Sequence, residues 1–315
     1  RREQARRAAH HSMRSARGVG GNQGLSQAMS HIELGPFTLH EVIGRGGMGE
    51  VWRGVHREQQ VPVAIKVITS AHALDRRFID GFEREVQATA GLDHPGICRV
   101  FDHGTIPARV SAPSLQTGSP WLAMELATGG SLEEAPRFGA WEELRAFLLS
   151  LLDALAHAHA RGIVHRDLKP ANVLLKEVHH HATRYLLSDF GLAHAIDPSV
   201  ARSEHDIKTA TAGTPYYMAP EQLLGQWRDY GSWTDLYALG CMTYELCSGR
   251  PPFIGKSNFQ IASRHLEAEM PKLAPRFSIP RDLEGWILGL LCKEWRARYR
   301  TAAEAAWALR NMSDE

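Results

Sequence analysis

The distribution of apolar and polar positions divides the chain into three stretches. Residues 1 to about 30 carry six arginines among Gly, Ser and Gln with no sustained apolar period. That predicts a flexible basic arm: a solvated linker in the simpler reading, a docking arm for an acidic partner in the other. From Phe37 to Ala127, short runs rich in β-branched and aromatic residues predict strands over Phe37–Ile43, Glu50–Val55, Val63–Ile68, Ile97–Phe101 and Trp121–Leu126. A helix is expected between them at Asp75–Gly91, where Phe78, Phe82, Val86 and Ala90 fall on one face.

Beyond Trp141 the period changes to that of helices. Leu144, Phe147, Leu148, Leu151, Leu152, Leu155 and Ala158 form an apolar stripe ending near Gly162, a candidate C-cap. A second helix is expected after Ser232, carrying Leu236, Leu239, Tyr244 and Leu246 and stopping at Gly249 before Pro251 and Pro252. Others are expected at Leu283–Trp295 and Ala302–Leu309. Two long connections remain, Gly104–Pro120, expected as a flexible flap on the hinge side, and Leu192–Tyr217.

Composition narrows the class without choosing within it. With 43% hydrophobic and 23% charged residues the chain is ordinary globular material. The balance of 36 basic against 35 acidic side chains argues against a dedicated nucleic-acid or membrane-surface binder. Four scattered cysteines read as free thiols, which suits a reducing cytoplasm. The most apolar run, Phe147–Ala158, is broken by Ser150, Asp153 and His157, so no membrane segment is expected. The chain opens on Arg1, so it reads as a fragment, with a membrane anchor in the parent chain left open.

Candidate chemistry is concentrated in a few motifs. Gly44, Gly46 and Gly49 have the spacing of a loop that lets backbone N–H groups approach a polyphosphate. A dinucleotide-binding turn shares that spacing, but it needs a following helix and an acidic residue about 20 positions on. Here Glu50–Val55 reads as another strand, and the nearby charge is Lys66, at the end of Val63-Ala64-Ile65-Lys66. A half-buried lysine needs a carboxylate or a phosphate, and Glu85 is the candidate partner. Downstream lie His165-Arg166-Asp167-Leu168-Lys169-Pro170-Ala171-Asn172 and Ser188-Asp189-Phe190-Gly191. Two aspartates and an asparagine on loops suit Mg²⁺, a hard cation that prefers oxygen ligands.

Together these motifs resemble the eukaryotic-like serine/threonine protein kinases, in their bacterial branch, over roughly Phe37–Met312. The resemblance implies an α+β, two-lobed protein-kinase fold: a small antiparallel β-sheet N-lobe with one main helix, and a larger, mostly helical C-lobe. The domain would span residues 31–315, with the N-lobe at about 37–127, the hinge at about 125–130 and the C-lobe at about 131–312. It further implies transfer of the γ-phosphate of ATP to Ser/Thr hydroxyls of proteins, with Mg²⁺ as cofactor and Mn²⁺ as an alternative. The glycine loop, Met48 at its tip, would cover the phosphates; Lys66 would contact the α- and β-phosphates and pair with Glu85. Asp167 would accept or orient the substrate hydroxyl, Lys169 would steady the γ-phosphate, and Asn172 and Asp189 would hold the metal. Ile43, Val51, Ala64 and Leu174 would wall the adenine with Met124 behind it, and Glu125-Leu126-Ala127 would form the hinge.

Gly213-Thr214-Pro215-Tyr216-Tyr217-Met218-Ala219-Pro220-Glu221 resembles the end of an activation segment. Thr209 and Thr211, with Ser203 and Ser199 behind them, are candidate phosphosites for Arg166 to bind, through autophosphorylation in a homodimer. By analogy Asp235 braces the catalytic loop and Arg298 pairs with Glu221. Two rival classes are weighed against this reading. A pseudokinase scaffold usually lacks a catalytic residue, and here none is missing; a small-molecule kinase typically lacks Ala219-Pro220-Glu221. His179-His180-His181 reads as a solvated turn rather than a metal site.

Overall fold

The computed structural model describes residues 32–69, 73–110, 115–135, 137–177, 183–190 and 215–313. Strands β1 (Ile32–Leu34), β2 (Phe37–Gly46), β3 (Gly49–His56), β4 (Pro62–Ile68), β5 (Val100–Thr105) and β6 (Pro120–Glu125) make one antiparallel sheet in the order β1-β2-β3-β4-β6-β5. Side chains alternate across a strand, so β4 and β6 feed two different cores. Val63, Ile65, Val67, Trp121 and Ala123 pack on one face with Leu34, Phe37 and Leu39. Ala64, Ile68, Leu122 and Met124 pack on the other, against helix α1 (Arg76–Ala90) through Phe78, Phe82 and Val86.

Helix α1 begins where Asp75 accepts a hydrogen bond from the Arg77 N–H at 2.8 Å. The apolar spacing of four aims Phe78, Phe82 and Val86 at the sheet, each burial contributing roughly 1.5–3 kcal/mol. The lower lobe is built on α2 (Trp141–His159), α4 (Ser232–Ser248), α6 (Leu283–Leu290) and α7 (Ala302–Arg310), which share one core. The short α3 (Pro220–Leu223), α5 (Asn258–Glu267) and a hairpin of β7 (Val173–Glu177) and β8 (Thr183–Leu187) complete it. Helix α4 ends at Gly249, whose φ of 84° is the left-handed cap that glycine supplies most cheaply.

Several expectations need correction. The described part of the Gly104–Pro120 stretch, residues 104–110 and 115–120, is no hinge-side flap. Its first two residues belong to β5 and Pro120 to β6, and Ile106, Val110 and Leu115 are buried in the core beneath the sheet. The segment expected as the hinge, 125–130, lies at the other end of β6. The strand expected at Ile97–Phe101 begins at Val100, Ile97 making only a single bridge to Leu187. Helix α2 stops at His159, with Ala160 rather than Gly162 as its cap residue. Helix α6 ends at Leu290 instead of reaching Trp295, and beyond it Arg298 takes the carbonyls of Cys292 and Lys293 at 2.7 and 3.1 Å. Of the residues singled out above, Ser199, Ser203, Thr209, Thr211, Gly213, Thr214, Gly191 and His179–His181 lie outside the described ones. All four cysteines are unpaired.

Candidate active site

The catalytic loop hangs on one buried carboxylate. Asp235, 1% exposed in the first turn of α4, accepts the backbone N–H of His165 and of Arg166, both at 2.8 Å, and its Oδ2 lies 2.8 Å from His159 Nε2. Burial alone would raise its pKa, but the bonds from His159 and His165 outweigh that and hold the carboxyl below its ordinary value. His165 closes the other side through Nε2, 2.8 Å from the Ser188 carbonyl, and its ring packs 4.6 Å from that of Phe190. The loop bearing Asp167 is thereby tied to the loop bearing Asp189. Both joints are bent: Arg166 and Asp189 have φ of 65° and 63°, a left-handed conformation costing a side-chain-bearing residue roughly 1–3 kcal/mol.

Asp167 is the hub of the exposed side of this loop. Its Oδ2 accepts Lys169 Nζ at 2.8 Å and Asn172 Nδ2 at 2.9 Å, and the same amide reaches the Asp167 carbonyl at 2.7 Å. Asn172 thus spends its amide nitrogen on Asp167, leaving its side-chain oxygen as a hard donor. Asp189 offers a second: its Oδ1 is buried without an aligned hydrogen-bond donor, although Lys66 Nζ stands 2.8 Å away. One carboxylate and one amide oxygen fit Mg²⁺, which takes few protein ligands and completes its shell with water and phosphate.

Lys66 sits on the α1-facing side of β4, yet the expected Lys66–Glu85 pair is not formed. Lys66 pairs with Asp189, and Glu85 instead meets Arg166 Nη1 at 3.3 Å. Charge explains the exchange: two half-buried cations and two half-buried carboxylates are each neutralised by the nearer opposite charge.

The residues expected to wall the adenine gather in part. Val51, Ala64, Met124, Ala127 and Leu174 share one apolar cluster, whereas Ile43 is 41% exposed and stands outside it. Of the three glycines only Gly49 is required by the protein itself, since a Cβ there would fall 1.9 Å from the Val67 carbonyl oxygen. A Cβ on Gly44 would make ordinary contacts with Val51, and one on Gly46 would meet nothing within 4 Å. Glu125, in the segment expected as the hinge, makes an ion pair with Lys176 of β7.

Some partners were not legible in the sequence. His159 and Asp235 are 76 residues apart. Gln222 donates to the Arg166 carbonyl at 2.7 Å while its side-chain oxygen accepts Ala219 N–H at 3.1 Å, fastening α3 to the catalytic loop. No local spacing signals either contact. Arg298 does meet Glu221 as expected, through two bonds of 2.8 and 2.9 Å.

The protein kinase domain family model matches residues 37–307, spanning both lobes and every loop just described. The chain belongs to the protein kinase family. This kinase domain is 35% identical over 279 residues to the serine/threonine-protein kinase PknA of Mycobacterium tuberculosis, covering 87% of the chain and 61% of that protein. It is 36% identical over 272 residues to the serine/threonine-protein kinase PknB of Mycobacterium leprae, covering 85% and 41%. The crystal structure of the Mycobacterium tuberculosis PknI kinase domain superposes with a TM-score of 0.65 at 28% identity, covering 90% of this chain and 99% of that one. The chain therefore spans about two fifths to three fifths of the length of these curated relatives.

Proposed function

We propose that this kinase domain transfers the γ-phosphate of ATP to serine and threonine hydroxyls of protein substrates. The observation that carries the reading is the Asp167 hub: Lys169 and Asn172 both bind Oδ2, and no described residue hydrogen-bonds Oδ1. That oxygen is left to orient a substrate hydroxyl and receive its proton. Phosphoryl transfer has a loose transition state, so the protein's work is positioning and charge stabilisation. Lys169 would carry positive charge toward the γ-phosphate and Lys66 toward the α- and β-phosphates. Asn172 and Asp189 would hold Mg²⁺, or Mn²⁺, which neutralises phosphate charge when bound. The open space at Gly46 supports close approach of the phosphates to the loop.

Full activity calls for Glu85 to leave Arg166 and receive Lys66. A phosphate on Thr209 or Thr211 would supply the anion that draws Arg166 away, through autophosphorylation between two copies. Lys169 favours hydroxyls of Ser and Thr over Tyr by the family resemblance, and four unpaired thiols suit work in the cytoplasm. The exchanged ion pairs also favour a second reading, a scaffold that signals by conformation without transferring phosphate.

The test is transfer of labelled γ-phosphate from Mg·ATP to the chain and to a generic basic protein, with Asp167→Asn as control. The kinase reading expects label on both, lost by on the order of 10²- to 10⁴-fold in the variant, and loop label mapping to Thr209, Thr211 or a nearby Ser. ATP binding without label on either protein would favour the scaffold.

A further inference from the structure

The residue before Asp167 is strained, and both peptides flanking it are clamped. Arg166 has a φ of 65°, a left-handed conformation that a residue with a side chain holds only against its own preference. Relief would come by rotating one of its two peptides. The peptide ahead of it is held by Asp235 of α4, whose Oδ1 accepts the Arg166 N–H at 2.8 Å. The peptide behind it joins Arg166 to Asp167. Its carbonyl accepts a hydrogen bond from Gln222 Nε2 at 2.7 Å, and its N–H lies 3.3 Å from His165 Nδ1. A turn of that peptide changes φ of Asp167 and re-aims its carboxylate. Of the two clamps on it, Gln222 is the one supplied from outside the loop.

Gln222 reaches this carbonyl because of where the sequence puts it. In Ala219-Pro220-Glu221-Gln222 it is the third residue of α3, and its Oε1 accepts the Ala219 N–H at 3.1 Å, the back-reaching bond of a helix start. That bond fixes the amide, with oxygen toward Ala219 and nitrogen toward Arg166. Its mounting is rigid. The neighbouring Glu221 is buried, bound by Arg298 through two bonds of 2.8 and 2.9 Å and by the Thr234 hydroxyl of α4 at 2.9 Å. A glutamate at 222 would serve the Ala219 bond equally well. The amide is needed to donate to Arg166 as well.

We propose that Gln222 is a positioning residue for phosphoryl transfer: by holding the Arg166 carbonyl it keeps the 166–167 peptide in the orientation that aims Asp167 at the substrate hydroxyl. The proposal rests on the kinase reading and adds to it a residue that touches neither ATP nor the hydroxyl. The aim of Asp167 matters when the hydroxyl proton moves. Losing it therefore lowers kcat and leaves the binding of ATP and of protein as it was.

Steady-state transfer from Mg·ATP to a generic basic protein by the full chain, with Gln222→Glu and Gln222→Met, tests it. Glu keeps the acceptor for Ala219 and loses the donor to Arg166; Met, of similar length, loses both. The expected result is kcat lowered roughly tenfold in each variant, the effect of losing about one hydrogen bond, with KM for ATP and for protein unchanged. Amide hydrogen exchange of residues 166–168 is a second readout, independent of turnover, and should quicken in both. Wild-type kcat and exchange in Gln222→Glu, with both altered only in Gln222→Met, would overturn the proposal and leave Gln222 as no more than the cap of α3. A wild-type chain that transfers no phosphate would defeat the kinase reading instead, and exchange at 166–168 would still decide whether Gln222 holds this peptide.

Discussion

Single residues at this site are legible by chemistry but not by partner. The sequence marks Lys66, Glu85, Arg166 and Asp189 as charges needing company, yet which cation meets which anion depends on how α1 sits over the lower lobe. Arg298 and Glu221 are the clearer case, with side chains 0% and 2% exposed and two parallel bonds between them. Thr234 also donates to Glu221 at 2.9 Å, and Arg298 lies 4.7 Å over the Tyr237 ring. Such a pair is costly to break from one side, because the survivor is left charged and dry. Arg298→Ala is expected to lower stability by about 3–5 kcal/mol in urea denaturation, whereas breaking the exposed Arg57–Glu33 pair with Arg57→Ala should cost less than about 1 kcal/mol.

At the scale of elements, long periodic segments are legible and short ones are not. Helix α1 matched its expected span to within a residue at each end because cap and apolar spacing agree. Asp75→Ala should cost about 1 kcal/mol through the lost cap. Phe82→Ala should cost about 3–5 kcal/mol through the cavity left under the sheet. Both are measurable as shifts of the urea midpoint. If Phe82→Ala costs less than Asp75→Ala, the helix is held by its end rather than its face. Strand β1 has three residues, too few for a period, and β7 lies directly behind the catalytic motif. Helix α5 buries only Ile261 and His265, while Phe259 on it is 84% exposed, so its pattern never rose above a loop.

For the whole molecule the titration of His265 predicts how stability depends on pH. Its folded value, about 3, lies below the ordinary 6.5, so the unfolded chain binds a proton that the folded chain refuses. The stability it contributes is complete above pH 6.5 and is lost as pH falls toward 3, by about 1.4 kcal/mol per unit. Between pH 6.5 and pH 5 the wild type should lose about 2 kcal/mol more than His265→Phe in denaturant titrations. Equal slopes would show that the ring takes up its proton without unfolding.

The sequence by itself determined the class of fold and the candidate chemistry. The change from period two to period 3.6 near residue 127 separates a sheet lobe from a helical lobe, and the candidate catalytic groups cluster in short motifs whose members are near neighbours in the chain. Tertiary structure decided the rest, because each remaining choice joins residues distant in sequence. It paired Lys66 with Asp189 and Glu85 with Arg166, bound His159 and the candidate catalytic loop to one aspartate on α4, and sent Ile106, Val110 and Leu115 into the core on one face of the sheet. Charges and buried polar atoms take the partners that folding brings within about 3 Å, and a linear pattern records their need without their neighbours.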